Sequence, residues 1–166
     1  MVPDQQRREV KSGVNSPSPR AQLESFLEKF SPGVATDARA ALARLRRLVP
    51  GAVELVYDNY NALAVGFGPS ERPSEAIVSM AVYPRWVSLF FLHGGPQLLD
   101  PKSLLKGSGK KVRHIVLRSP VLLDLPAVRS LLKLALARAP VQIDPSRRRR
   151  TVIKSVSAKQ RPRRTS

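Results

Sequence analysis

The sequence predicts an α+β fold, a two-layer sandwich in which helices pack on one face of an antiparallel sheet of about five strands. Three observations carry this prediction. Two segments before residue 50 repeat apolar residues at helical spacing, the period changes to two from Val53 onward, and a helical stripe returns after Pro126. At 166 residues the chain suits one domain with tails. The divisions are a flexible N-terminal segment (1–20), the domain (21–140) and a basic, disordered tail (141–166).

Ser18 and Pro19 precede Leu23, Phe26, Leu27 and Phe30, an i, i+3, i+4, i+7 stripe that places all four on one helical face. Ser31, Pro32 and Gly33 are expected to end this helix. A second helix is expected to start at the N-cap Thr36, with Asp37 in its positive first turn, and to run to Leu48 with Ala38, Ala41, Leu42 and Leu45 inward. Strands follow at 53–58, 62–67, 76–83 and 86–92, and their short links imply antiparallel hairpins. The turns at 58–61 and 84–85 are expected at opposite or alternate ends of the sheet and need not form one pocket. A fifth strand at 112–117 comes after an irregular stretch with a helical turn near Leu98 or Ser103. The last helix runs from Pro126 to Ala137, with Val128, Leu131, Leu132 and Ala135 inward.

The charge is the number to explain. There are 29 Lys and Arg against 12 Asp and Glu, a balance of +17. That excess favours anionic partners and disfavours an acidic calcium-type or iron-storing surface. It is unevenly placed. Residues 146–166 hold nine cations and no acid: Arg147, Arg148, Arg149, Arg150, Lys154, Lys159, Arg161, Arg163 and Arg164. Few large apolar residues interrupt this run, so a disordered extension is expected, either a solvated tail or a loose phosphate contact for nucleic acid. With no cysteine, disulfides, thiolate zinc sites and cysteine nucleophiles are excluded. No apolar run approaches the length of a membrane span, and the N-terminus lacks a signal-peptide core, so a cytoplasmic protein without membrane insertion is expected.

The most suggestive run is Lys106, Gly107, Ser108, Gly109, Lys110, Lys111, Val112, Arg113 and His114. A Gly-Ser-Gly turn lets an anion approach backbone N–H groups, and the cations beside it add charge. It is not a Walker A loop, because Leu104 stands where that motif needs Gly and Lys111 where it needs Ser or Thr. From Lys102 to Arg118 there are six cations and no acid. An ordinary basic loop and an anion site are both open readings. Tyr57, Asn59, Tyr60, Tyr83, Trp86 and His93 are the candidate pocket residues, and Trp86 with Arg85 suits stacking on a base. The two histidines, His93 and His114, suffice for zinc only with carboxylate help, for which Asp100 is the candidate, and no serine-hydrolase motif accompanies them. No cofactor, metal or catalytic residue is assigned.

The segments LVYDNYNALAVGFGP (55–69), AVYPRWVSLFFLHGG (81–95), LLDPKSLLKGSGKKVRH (98–114) and the closing helix resemble the YdhG-like family, a domain of unknown function likened to frataxin. The resemblance covers about 21–139. It implies a small α+β domain with helices against an antiparallel sheet, and, for one branch, an iron-chaperone role. Iron wants oxygen ligands, yet the first two helices offer only Glu24, Glu28 and Asp37 amid Arg39, Arg44, Arg46 and Arg47. The expected function is therefore a non-catalytic binding module for an anionic ligand or nucleic acid. The alternatives are a frataxin-type iron chaperone and a small enzyme using His93 and His114.

Overall fold

A computed structural model of the chain describes residues 16–165. The expectation of a flexible N-terminal segment (1–20) falls mostly on 1–15, outside the described residues. Helix α1 (Pro19–Leu27) starts at Ser18, whose hydroxyl accepts the Ala21 N–H at 3.1 Å, with Pro19 in the first turn where its missing N–H costs nothing. Helix α2 spans Pro32–Leu48, and Ser31 takes its N-cap position. Pro32 therefore opens this helix rather than ending the previous one, because a proline suits the first turn; the expected start at Thr36 was one turn late. Leu23, Phe26, Leu27 and Phe30 are all buried, together with Ala38, Ala41, Leu42 and Leu45 of α2.

Strands β1 (Val53–Asp58), β2 (Leu63–Gly68), β3 (Val78–Val82), β4 (Val87–Phe91) and β5 (Arg113–Leu117) form an antiparallel series. The helical turn expected near Leu98 or Ser103 is a 3-10 turn at Gly95–Gln97, closed by the Leu98 N–H on the Gly95 carbonyl. Helix α3 (Pro126–Arg138) follows β5, and its Val128, Leu131, Leu132 and Ala135 are buried as the stripe requires. No helix among the described residues is long and apolar enough to cross a membrane.

The tail departs from expectation. Residues Arg150–Val156 form a sixth strand, β6, which pairs in parallel with β1, so the sheet is mixed with order β5-β4-β3-β2-β1-β6. Thr151, Val152 and Ile153 are a β-branched run inside the arginines, and that local preference, together with a free β1 edge, outweighs the charge. The approach to β6 passes so close to Gly51 (φ +80°) that a Cβ there would meet the Asp144 carbonyl oxygen at 2.0 Å. Only glycine fits that crossing.

Alternation gives the sheet two different faces. Val56, Leu63, Val65, Phe67, Val78, Met80, Val82, Val87, Leu89, Phe91, Ile115 and Leu117 join the helices in one core. Glu54 and Asp58 lie in the same register as Val56 and are fully buried on that side. The opposite face carries Ala64, Ser79, Ala81, Ser88, Phe90, His114 and Val116, whereas α1, α2 and α3 bury their stripes on the core side; Ala76 lies against the opposite face at Gly66 and Gly68.

Candidate functional site

Register decides which turns meet. Asp58 pairs with Leu63, Leu63 with Val82, and Val82 with Val87, so the β1–β2 and β3–β4 turns lie at one end of the sheet. Alternate turns of a meander share an end, and here these two are near enough to line a common cleft. The sequence left open whether they share a pocket, and here they line one. Tyr60, Asn61, Tyr83, Pro84, Arg85 and Trp86 line a cleft of about 870 Å³ whose remaining wall is Arg161, Pro162 and Thr165 from the tail.

The aromatic groups of this cleft are accessible. Tyr60 is 47% and Trp86 44% exposed, Tyr83 stacks on Trp86 with ring centres 4.8 Å apart, and the Arg161 guanidinium stands 5.7 Å from the Tyr60 ring centre. Two arginines and, among the described residues, no carboxylate line it. A second groove, of about 530 Å³, shares Tyr60, Asn61 and Tyr83 and extends over the open sheet face across Ala64, Ser79, Ala81 and Phe90, with Asn59 at its rim.

The tail wall is anchored from below. Arg163, 3% exposed at its side chain, donates to the fully buried Asp58 carboxylate at 2.9 Å and to the Asn59 carbonyl, and it lies over Phe30. Lys29 reaches the other Asp58 oxygen at 2.7 Å, and the Gln160 amide donates to the Asp58 carbonyl at 2.9 Å. Burial alone would raise the Asp58 pKa; hydrogen bonding from Lys29, Gln160 and Arg163, with the Lys29 charge, outweighs it and holds the carboxyl below its ordinary 3.8. Arg164 donates to the Lys29 and Glu28 carbonyls at 3.2 Å, satisfying acceptors left over at the C-terminal end of α1.

A similar clasp holds the start of β6. The buried Glu54 carboxylate accepts two hydrogen bonds from Arg46, at 2.8 and 2.9 Å, with Arg149 at 3.2 Å and the Thr151 hydroxyl at 3.2 Å. Burial, then the neighbouring charge of Arg46, lowers the Arg149 pKa from its ordinary value against the pull of Glu54. Arg150 meets Glu71 at 3.0 Å, Lys154 donates to the Glu71 carbonyl, and Arg147 reaches Asp144 at 4.0 Å. Arg148 and Lys159 are exposed and have no carboxylate partner among the described residues.

The Gly-Ser-Gly run lies at the other end of the sheet. Lys106 and His114 exchange backbone hydrogen bonds at 2.8 and 2.9 Å, which makes 107–113 the loop of a short hairpin. Gly107 (φ +112°) turns it, and the Arg113 guanidinium braces it through the Gly109 and Val112 carbonyls. The N–H groups of Gly107, Ser108, Gly109 and Lys110 donate to nothing within the described chain. Asp100, the nearest acid in sequence, accepts from the Leu104 and Leu105 N–H groups at 2.9 Å. None of the six cations from Lys102 to Arg118 has a carboxylate partner among the described residues.

Of the predicted pocket residues, Asn59, Tyr60, Tyr83 and Trp86 come together. Tyr57 sits beside them, opposite Ala64, but lines neither cleft, and burial raises its pKa. His93 lies at the far end, beside Ala135 and Arg138 of α3, whereas His114 faces the open side against Phe90. The two histidines therefore share no site. Glu24 is held by Arg39 at 2.6 Å, and no group of three His, Asp or Glu suited to a metal occurs among the described residues. Sequence reasoning missed Asp58 and Glu54 as anchors. The signal was present: both acids stand at core-facing positions of a period-two strand in an arginine-rich chain, and a buried acid needs a cationic partner. Comparison with family models, curated proteins and solved structures finds no match to this chain.

Proposed function

We propose that this protein is a non-catalytic binding module for an anionic ligand, and that the ligand class is single-stranded nucleic acid. The observation that carries the proposal is the convergence of Tyr60, Tyr83 and Trp86 with Arg85 and Arg161 in one cleft without a carboxylate among the described residues. Exposed rings stack on bases of any sequence and guanidinium groups meet phosphates, a pairing that single-strand binders use at about 1–3 kcal/mol per stacked base. The net charge supplies attraction at longer range. A duplex offers its bases only at groove edges, so this cleft favours an unpaired strand. Kinship with YdhG-like proteins belongs to the same proposal; the quoted segments and the one-sided packing of helices on the sheet support it.

Trp86 is the single tryptophan and reports on its own cleft. A single-stranded octamer titrated into the full chain at low salt is expected to quench its fluorescence, and the same strand in duplex form to do so more weakly. Tyr60→Ala is expected to weaken the octamer about tenfold. Absent quenching, or equal binding of duplex and single strand, would reject the reading.

A further inference from the structure

We infer that the bound strand does not stop at the Trp86 cleft but runs along the open face of the sheet to the 106–114 hairpin. This rests on the single-strand reading above and adds its path. The Trp86 cleft and the open-face groove share Tyr60, Asn61 and Tyr83, so one ligand can occupy both without crossing a ridge of other residues. The floor of the groove is small, with Ala64, Ser79 and Ala81, which leaves room for a flat ring to approach the sheet.

At the far side of the floor stands a second aromatic step. Phe90 packs against His114 with ring centres 5.3 Å apart, both half-buried and both on the open face. Four strand residues separate Trp86 from Phe90, about 13 Å at the rise of a β-strand, and a sheet face of this size holds two or three stacked bases in other single-strand binders. His114 is in turn bonded through its backbone to Lys106, whose loop carries Lys110 and Lys111 without carboxylate partners among the described residues. The sequence of surfaces is thus rings and arginines, a small floor, a second ring pair, then lysines. Among the described residues no acid lines the clefts along it. Charge complementarity selects the occupant: a chain with one phosphate per base meets cations at both ends and rings at both stacking steps.

The test compares a dinucleotide, long enough for the Trp86 cleft alone, with an octanucleotide, in both oligo-uridylate and oligo-thymidylate forms, read by Trp86 quenching. Phe90→Leu keeps the apolar volume and removes the ring, and His114→Ser removes the other ring while leaving the backbone pairing; unfolding by urea verifies that each variant remains folded. Each is expected to weaken octanucleotide binding about tenfold and to leave dinucleotide binding within about twofold. Unchanged octanucleotide affinity in both variants would overturn the path while leaving the cleft reading intact, and equal losses at both lengths would overturn it too. If neither length quenches Trp86 in the unsubstituted protein, the cleft reading and the path fall together.

Discussion

In the C-terminal tail, Arg149, Arg150 and Arg163 meet Glu54, Glu71 and Asp58, whereas the six cations between Lys102 and Arg118 meet no carboxylate among the described residues. Both segments read alike in sequence, as runs of positive charge without acids. The fold separates them by where its few acids lie. Two of the tail's anchors are wholly buried, so their guanidinium partners work as structural pins; Lys106, Lys110 and Lys111 of the loop are exposed. Positive charge counted along a chain is therefore not charge available to a ligand. The tail contributes to the cleft mainly through Arg161, which its neighbour Arg163 holds in place.

The largest expected effect breaks the tail's side of this contrast. Asp58→Asn leaves the Arg163 guanidinium buried without its counter-charge and should cost about 3–5 kcal/mol in urea unfolding. Adding Arg163→Met should restore part of that, since an apolar replacement of a buried pair is close to neutral. A loss under about 1 kcal/mol for Asp58→Asn would mean that the tail is not pinned as described.

Acid weakens the same pin more gradually. The folded pKa of Asp58 lies below its ordinary 3.8, so its contribution is complete above that value and is lost as pH falls through the lower, folded one. The stability gap between the unsubstituted protein and Asp58→Asn should therefore stay constant down to about pH 4 and narrow below it. A gap that persists into stronger acid would contradict the assignment.

The smallest effects sharpen the contrast on the ligand side. Each phosphate neutralised on a single strand contributes about −0.7 to the slope of log affinity against log salt. Replacing Lys106, Lys110 and Lys111 together by Ala should flatten that slope by about 2, with stability nearly unchanged. Arg150→Gln, which removes a cation already facing Glu71 at an exposed site, should move the slope by less than one such step and stability by less than about 1 kcal/mol. Equal slope changes for loop and tail would erase the distinction.

Local pattern made much of the fold legible. The helical stripes from Leu23 and Ala38, the change of period at Val53 and the stripe after Pro126 each became the element they predict, because amphipathic spacing is a property of the chain itself. Boundaries slipped where one residue supports two roles, as Pro32 did. The tail was misread for a different reason: Thr151, Val152 and Ile153 form a strand only because β1 presents a free edge, and Arg163 is buried only because Asp58 lies about a hundred residues earlier.

The sequence by itself determined the class of fold, the excess of positive charge and the residue types of the cleft, since these follow from composition and short-range periodicity. Tertiary structure alone decided that Tyr60, Trp86 and Arg161 share one cleft, that His93 and His114 do not meet, and which cations find a carboxylate partner among the described residues. Those outcomes depend on strand register and on buried ion pairs between distant segments, and neither is encoded in the spacing of neighbouring residues.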